Sequence, residues 1–217
     1  MIGEVGNRAG RLRGLSSAIA ALFLATLLIA GPVSAAASSA TDTVGKFYAT
    51  LLDVMKKGPR FSERQRYDEL APVVQRTFDL AYMTRMAIGP SWASLSPAQQ
   101  QSATEAFTRY VTATYAGRFD NYSGEQLRVE SERATPSGTV VLSQIVKADG
   151  SPVVIDYLMR RNGDAWQVGD VQLTGTISEL ATRRAEFSSI LRRDGINGLI
   201  AVLNRKADML VASAAPR

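Results

Sequence analysis

The chain has 217 residues, with 25 Lys and Arg against 20 Asp and Glu, and its formal net charge is +5. It contains neither cysteine nor histidine, which excludes disulfides, Ser-His-Asp and Cys-His nucleophile systems and nearly every zinc, copper or haem site. The composition therefore argues against an enzyme, and we expect no catalytic residue, no metal and no cofactor. The positive charge is mild and scattered, which argues against nucleic acid as a partner.

The first 37 residues have the pattern of a secretory signal. Three arginines precede an apolar run over 15–30, and small residues follow that run. A basic start, a short apolar segment and a small-residue exit are typical of export signals. The run has 16 residues, fewer than the roughly 20 that a membrane-spanning helix needs. We expect residues 1–37 to be a signal peptide and the protein to be periplasmic, although an uncleaved inner-membrane tether stays open.

Amphipathic helices are predicted in the first half of the remaining chain, because apolar residues recur there at a spacing of three to four. Ser96 is a good N-cap, Pro97 suits the first helical position, and Gln99 completes a capping box. These features predict a long helix that runs to about Tyr122. The predicted helices occupy 41–57, 62–77, 79–88 and 96–122.

The pattern then changes to strands, in which apolar and polar residues alternate. Asp149-Gly150 and Asn162-Gly163 are hairpin turn signals, so the strands are expected to form an antiparallel meander. The four predicted strands occupy 127–133, 139–147, 153–160 and 165–173.

The fourth predicted strand does not alternate cleanly. Trp166 and Val168 share one face, whereas Val171 and Leu173 share the other, so a bulge or two buried faces is needed. Asp170 on this strand is interpreted as an orienting or buried hydrogen-bond acceptor rather than as a catalytic carboxylate.

Two further helices are predicted at 179–193 and 196–210, separated by Asp194-Gly195. Helices, hairpin strands and helices again form an α+β pattern. We therefore predict one domain over 38–217. In it, a four-stranded antiparallel twisted sheet is wrapped by the helices that precede it and follow it in the sequence. So many helices cannot all lie flat on one small sheet. Some must arch over it and can enclose an apolar cavity, with an ordinary packed core as the alternative.

Several segments together carry a family resemblance. They begin with Phe78-Asp79-Leu80 and Met83 and continue, in order, through 87–92, 96–100, 115–124, 154–157, 166–171 and 175–191. In order and spacing they resemble the toluene-tolerance family, which contains the MlaC-type periplasmic shuttles. The resemblance covers roughly residues 42–210. The runs 175–184 and 188–195 resemble the branch of that family associated with hopanoid biosynthesis. The phospholipid carriers usually have Phe where Ala103 stands, and its loss would widen the cavity for a rigid polycyclic lipid.

The resemblance implies a periplasmic carrier that moves phospholipid or hopanoid-type lipids between the inner and outer membranes. Its partners would be the lipid ligand, an inner-membrane transporter complex and an outer-membrane lipid donor or acceptor. A non-enzymatic adaptor of a hopanoid or lipid transport complex is an alternative function, and a lipid-modifying enzyme is a weaker one.

The lipid tails are expected to lie between the sheet face and the helices, against apolar and aromatic side chains. Arg184 is expected either near the headgroup at the mouth or paired with an acidic neighbour. The residues predicted to bind lipid are Met83, Met86, Trp92, Phe107, Tyr110, Val111, Tyr115, Val153, Ile155, Tyr157, Trp166, Val171, Leu173, Phe187 and Ile190.

Overall fold

The computed structural model describes residues 38–136 and 138–212, so the predicted signal peptide at 1–37 lies outside the described residues. The helices are α1 (Ala40–Lys57), α2 (Glu63–Thr77), α3 (Leu80–Ile88), α4 (Pro97–Arg118) and α5 (Glu179–Ala212). The strands are β1 (Gln126–Thr135), β2 (Gly138–Val146), β3 (Pro152–Asn162), β4 (Ala165–Leu173) and β5 (Ile177–Ser178). Within these two ranges, no helix is long and apolar enough to cross a membrane.

Serine capping boxes begin the first, second and fourth helices. The predicted box at Ser96 is confirmed, since its hydroxyl accepts from the backbone N–H of Gln99 at 3.3 Å. Ser39 and Ser62 cap α1 and α2 in the same way. The fourth helix ends at Arg118 rather than near Tyr122, because the Asp and Asn that follow Phe119 compete with helical hydrogen bonds.

The sheet is an antiparallel meander in the order β1-β2-β3-β4-β5. It has five strands, so the expected number of four is wrong. The chain turns back after β4 through Thr174 (φ 51°) and Gly175 (φ 74°), and Ile177 then pairs with Leu173. The fifth strand has only two residues, which is too short to show an alternating pattern in the sequence. Only its pairing with β4 defines it as a strand.

A bulge interrupts the pairing of β3 with β4. Met159 pairs with Val168 and Leu158 pairs with Asp170, so Gly169 is the extra residue. A Cβ at Gly169 would lie 2.6 Å from Cδ of Arg160, so a larger residue here would have to displace that side chain. The bulge confirms one of the two arrangements expected for this strand, and it allows Val168 and Val171 both to be buried.

The core lies between the sheet and the helices. Its largest fully buried side chains include Phe47, Phe78 and Tyr157, which come from α1, the α2–α3 link and β3. The fifth helix is broken at Gly195, whose φ of 66° is not helical, as the Asp194-Gly195 pair predicted. The fifth helix packs on α4, and its first turn contacts β4.

Candidate functional site: an apolar cavity with a charged rim

A cavity of about 130 Å³ lies between β3–β4, α4 and the start of α5. Its lining residues are Phe78, Met83, Phe107, Tyr110, Val111, Thr114, Tyr115, Arg118, Phe119, Ile155, Tyr157, Val171, Leu173, Glu179, Leu180 and Arg183. The cavity is close in volume to the roughly 150 Å³ engineered cavity that binds benzene. Its volume is enough for part of one acyl chain.

Two local periodicities build the walls. Along α4 the lining positions 107, 110, 111, 114, 115 and 118 follow the three-to-four spacing of one helix face. On the sheet, Ile155 and Tyr157 in β3 and Val171 and Leu173 in β4 follow the two-residue repeat of a strand face. Each wall thus presents mostly apolar side chains from one face of a regular helix or strand segment.

Aromatic rings pack tightly in the lining and behind it. Tyr115 stacks on Phe119 with ring centres 5.8 Å apart, and Phe47 meets Tyr115 edge-on at 5.2 Å. Burial raises the pKa of the Tyr115 and Tyr157 hydroxyls, so both stay protonated and uncharged at neutral pH. These two tyrosines therefore add no charge to the interior.

The rim of the cavity is charged. Arg183 forms ion pairs with Glu179 at 3.3 Å and with Glu186 at 3.1 Å, and Lys206 also pairs with Glu186. Both cations lie within 6 Å of the centre of the Tyr110 ring, at 5.2 and 5.8 Å, where cation–π attraction is favourable. Although burial acts to raise the pKa of Glu186, Lys206 and Arg183 together hold it below its ordinary value.

Asp170 orients the rim. Its Oδ1 accepts from the N–H of Leu180 at 3.1 Å, and its Oδ2 accepts from the hydroxyl of Ser178 at 2.5 Å. These bonds satisfy donors at the N-terminus of α5, which carries Glu179 and Arg183. Asp170 is thus a buried hydrogen-bond acceptor that orients the start of α5, as predicted.

The structure brings most of the predicted lipid-binding residues to the cavity and leaves others outside its lining. Phe187 is buried behind Phe107, with ring centres 6.1 Å apart. Val153 is half-buried on β3. The predicted residues that line the cavity are Met83, Phe107, Tyr110, Val111, Tyr115, Ile155, Tyr157, Val171 and Leu173. Those that pack on the edge of the core instead are Met86, Trp92, Trp166 and Ile190.

Two residues singled out from the sequence lie away from the cavity wall. Arg184 is exposed and outside the lining, and its guanidinium packs against Gly89, where a Cβ would lie 3.0 Å from its Nε. Ala103 is fully buried in the core and is also outside the lining. A phenyl group at position 103 would therefore overpack the core instead of narrowing the cavity.

Sequence reasoning missed several lining residues. Arg183 lies three residues after Leu180 and four before Phe187, so helical periodicity could have placed it on the inner face. The same spacing extends the α4 face to Thr114 and Arg118. The lining residues that were not predicted are Phe78, Thr114, Arg118, Phe119, Glu179, Leu180 and Arg183.

The arrangement suits an amphiphile. In the described part of the chain, no cluster of three carboxylate, His or Cys side chains could hold a metal ion. An apolar interior shelters hydrocarbon from water, and a charged group of the same molecule stays at the rim because burying it unpaired is costly.

Comparisons with known proteins agree with this geometry. A family model described as "MlaC protein" matches residues 46–205. The intermembrane phospholipid transport system binding protein MlaC of Haemophilus influenzae is 25% identical over 158 residues, which cover 70% of this chain and 72% of that protein. A solved structure of a phospholipid-binding protein from Ralstonia solanacearum, in complex with a phospholipid, is 24% identical with a TM-score of 0.69. The match covers 80% of this chain and 99% of the Ralstonia chain, and it shows the α+β fold.

Proposed function

Because this chain belongs to the MlaC protein family, we propose that it is a periplasmic carrier that takes up phospholipid in the cavity between α4 and β3–β4. The observation that carries the proposal is the apolar cavity with a charged rim. The phospholipid named for the Haemophilus and Ralstonia relatives supports it. The transporter complex in the inner membrane and the lipid donor or acceptor in the outer membrane are its proposed partners.

The magnitude of tail burial supports uptake by a cavity that opens. A 16-carbon chain gains about 12 kcal/mol on leaving water, at roughly 0.8 kcal/mol per methylene. Relative to a tail exposed to the aqueous periplasm, this gain exceeds the cost of parting a few side-chain contacts, each worth about 0.1–0.2 kcal/mol per atom pair, so an opened cavity is favoured over an exposed tail during transfer. We therefore expect α4 and the sheet to move apart as a tail enters the cavity between them.

The bilayer, rather than water, is the source of the lipid. Its tails are already dry there, so a protein cavity does no more than roughly match the membrane in free energy. The carrier would act by lowering the barrier to transfer through the aqueous periplasm, and its partners would set the direction of transport.

A hopanoid-type lipid is the second candidate ligand. The runs 175–184 and 188–195, which resemble the hopanoid-associated branch, favour it. An adaptor that holds no lipid and a lipid-modifying enzyme are the remaining alternatives.

Organic extraction of the purified protein followed by mass spectrometry tests the proposal. We expect phospholipid at near one molecule per chain; a hopanoid in its place would identify the second candidate. Protein that repeatedly purifies without lipid and acquires none from phospholipid vesicles would contradict the carrier and favour the adaptor. A lipid altered by incubation with the protein would favour the enzyme.

A pair of variants connects bound lipid to the cavity. Val111→Trp would fill the cavity from its half-buried α4 wall and should abolish co-purifying lipid. Ile190→Trp is the matched control, because Ile190 is equally half-buried but lies outside the lining. It should retain lipid, and equal loss in both variants would contradict the assignment of the cavity.

A further inference from the structure

The rim charges are balanced except at one residue. Among them, Arg183 and Lys206 are matched by Glu179 and Glu186, with which they form ion pairs. Arg118 also lines the cavity, but its side chain has no carboxylate within 4.0 Å among the described residues. The mouth therefore carries one positive charge that no ion pair offsets.

The position of Arg118 explains how this charge is tolerated. It is the last residue of α4, where the carbonyl end of the helix dipole favours a cation by about 0.3–1 kcal/mol. It is also exposed, unlike the half-buried Arg183. The guanidinium of Arg118 is thus hydrated although it lies next to an apolar cavity. Its N–H donors are available to a ligand.

We propose that Arg118 binds the anionic group of the amphiphile whose tail occupies the cavity, and so selects anionic over neutral lipids. The proposal rests on the proposed carrier function. A tail in the cavity holds the attached charged group at the rim, and a guanidinium binds two oxygens of a phosphodiester or carboxylate at once. Arg183 is less suited to this role, because Glu179 and Glu186 already offset its charge.

The chemistry separates two classes of ligand. A phospholipid carries its phosphodiester close to the point where the tails begin, and a free fatty acid carries a carboxylate there. A diacylglycerol or a polycyclic triterpenoid alcohol offers only neutral oxygens, which leave the Arg118 charge without an anion. Selectivity for the anion is therefore expected to depend on Arg118 and to weaken as salt screens this exposed charge.

The test uses vesicles that contain phosphatidylglycerol and diacylglycerol with the same acyl chains in equal amounts, with oleic acid in a parallel set. The full mature protein, stripped of lipid, is incubated with them, repurified and analysed by mass spectrometry. We expect the wild type to favour phosphatidylglycerol over diacylglycerol about tenfold, and Arg118→Gln to abolish most of this preference while still taking up lipid. Arg192→Gln, which removes an equally exposed charge outside the cavity lining, should leave the preference unchanged.

The outcomes distinguish this proposal from the carrier function. If Arg118→Gln and wild type show the same preference while both take up lipid, the role of Arg118 is wrong and the carrier stands. If wild type takes up none of the lipids, the carrier fails and the role of Arg118 fails with it. A preference for phosphatidylglycerol that Arg118→Gln loses assigns the phosphodiester to the site, whereas a preference for oleic acid alone that this variant loses assigns a carboxylate; either loss supports an anion site at Arg118. Circular dichroism of both variants verifies that the fold is retained.

Discussion

At the scale of single residues, Gly138 shows a position where only glycine fits. Its φ is +137°, and a Cβ there would lie 2.6 Å from the backbone carbonyl oxygen of Met159 on β3. A backbone atom in a sheet cannot move aside as a side chain can. We expect Gly138→Ala to lower the free energy of unfolding by roughly 3 kcal/mol, measured by urea denaturation.

Gly150 is the matched control for Gly138. Its φ of +84° is also in the left-handed region, but nothing lies within 4 Å of the position of a Cβ. Gly150→Ala should cost only the backbone strain, about 1 kcal/mol. Equal losses in the two variants would show that the contact with the Met159 carbonyl is unimportant.

At the scale of secondary-structure elements, Arg66 joins α2 to the end of α4. Its Nε donates to the carbonyl of Ala116 at 2.9 Å and its Nη1 to the carbonyl of Phe61 at 2.6 Å, and the residue is only 4% exposed. These bonds hold the turn of α4 that carries Arg118 at the rim. Arg66→Met would leave both carbonyls and the carboxylate of Glu63, which lies 3.5 Å from Arg66, without this partner, and we expect it to cost roughly 2–4 kcal/mol in thermal or urea unfolding.

Arg64 on the same helix provides the comparison for Arg66. Its side chain is 69% exposed and pairs with Asp68 at 3.0 Å, an arrangement worth about 0.3–0.5 kcal/mol. Arg64→Met should therefore change stability by less than about 0.5 kcal/mol. A loss comparable to that of Arg66→Met would contradict the role given to the buried carbonyl contacts.

At the scale of the whole molecule, tyrosines from α1, α4 and β3 meet beside the cavity. Tyr48 hydrogen-bonds Ser143 at 2.8 Å, and burial raises the pKa of Tyr48, Tyr115 and Tyr157 above their ordinary value of 10.0. A pKa that is raised on folding contributes stability that is present below pH 10.0 and is lost as pH rises towards the folded pKa. The free energy of unfolding should therefore fall above about pH 10.

Replacing one of these tyrosines tests this pH dependence. Tyr157→Phe removes one titrating group, so the slope of unfolding free energy against pH above pH 10 should become shallower by about 1.4 kcal/mol per pH unit. An unchanged slope in Tyr157→Phe would contradict the prediction.

The sequence alone determined the features that depend on neighbouring residues along the chain. Helical spacing predicted the α4 wall through Phe107, Tyr110 and Val111, and strand alternation predicted Ile155 and Tyr157 on β3; all of these line the cavity. The α+β order and the break at Gly195 followed from the same local signals. Such patterns can be recognised in the sequence because the repeat of a helix or a strand depends only on the backbone geometry of that element.

Only the tertiary structure decided which of these faces meet. The two residues of β5 are a strand solely through pairing with β4, and Phe78 and Leu180 line the cavity because distant segments bring them there. Arg183 rather than Arg184 lies at the rim, since one residue turns a helix by about 100° and the packing of α5 on α4 sets which side faces inward. Long-range packing, which no local period encodes, therefore placed the charges around the cavity.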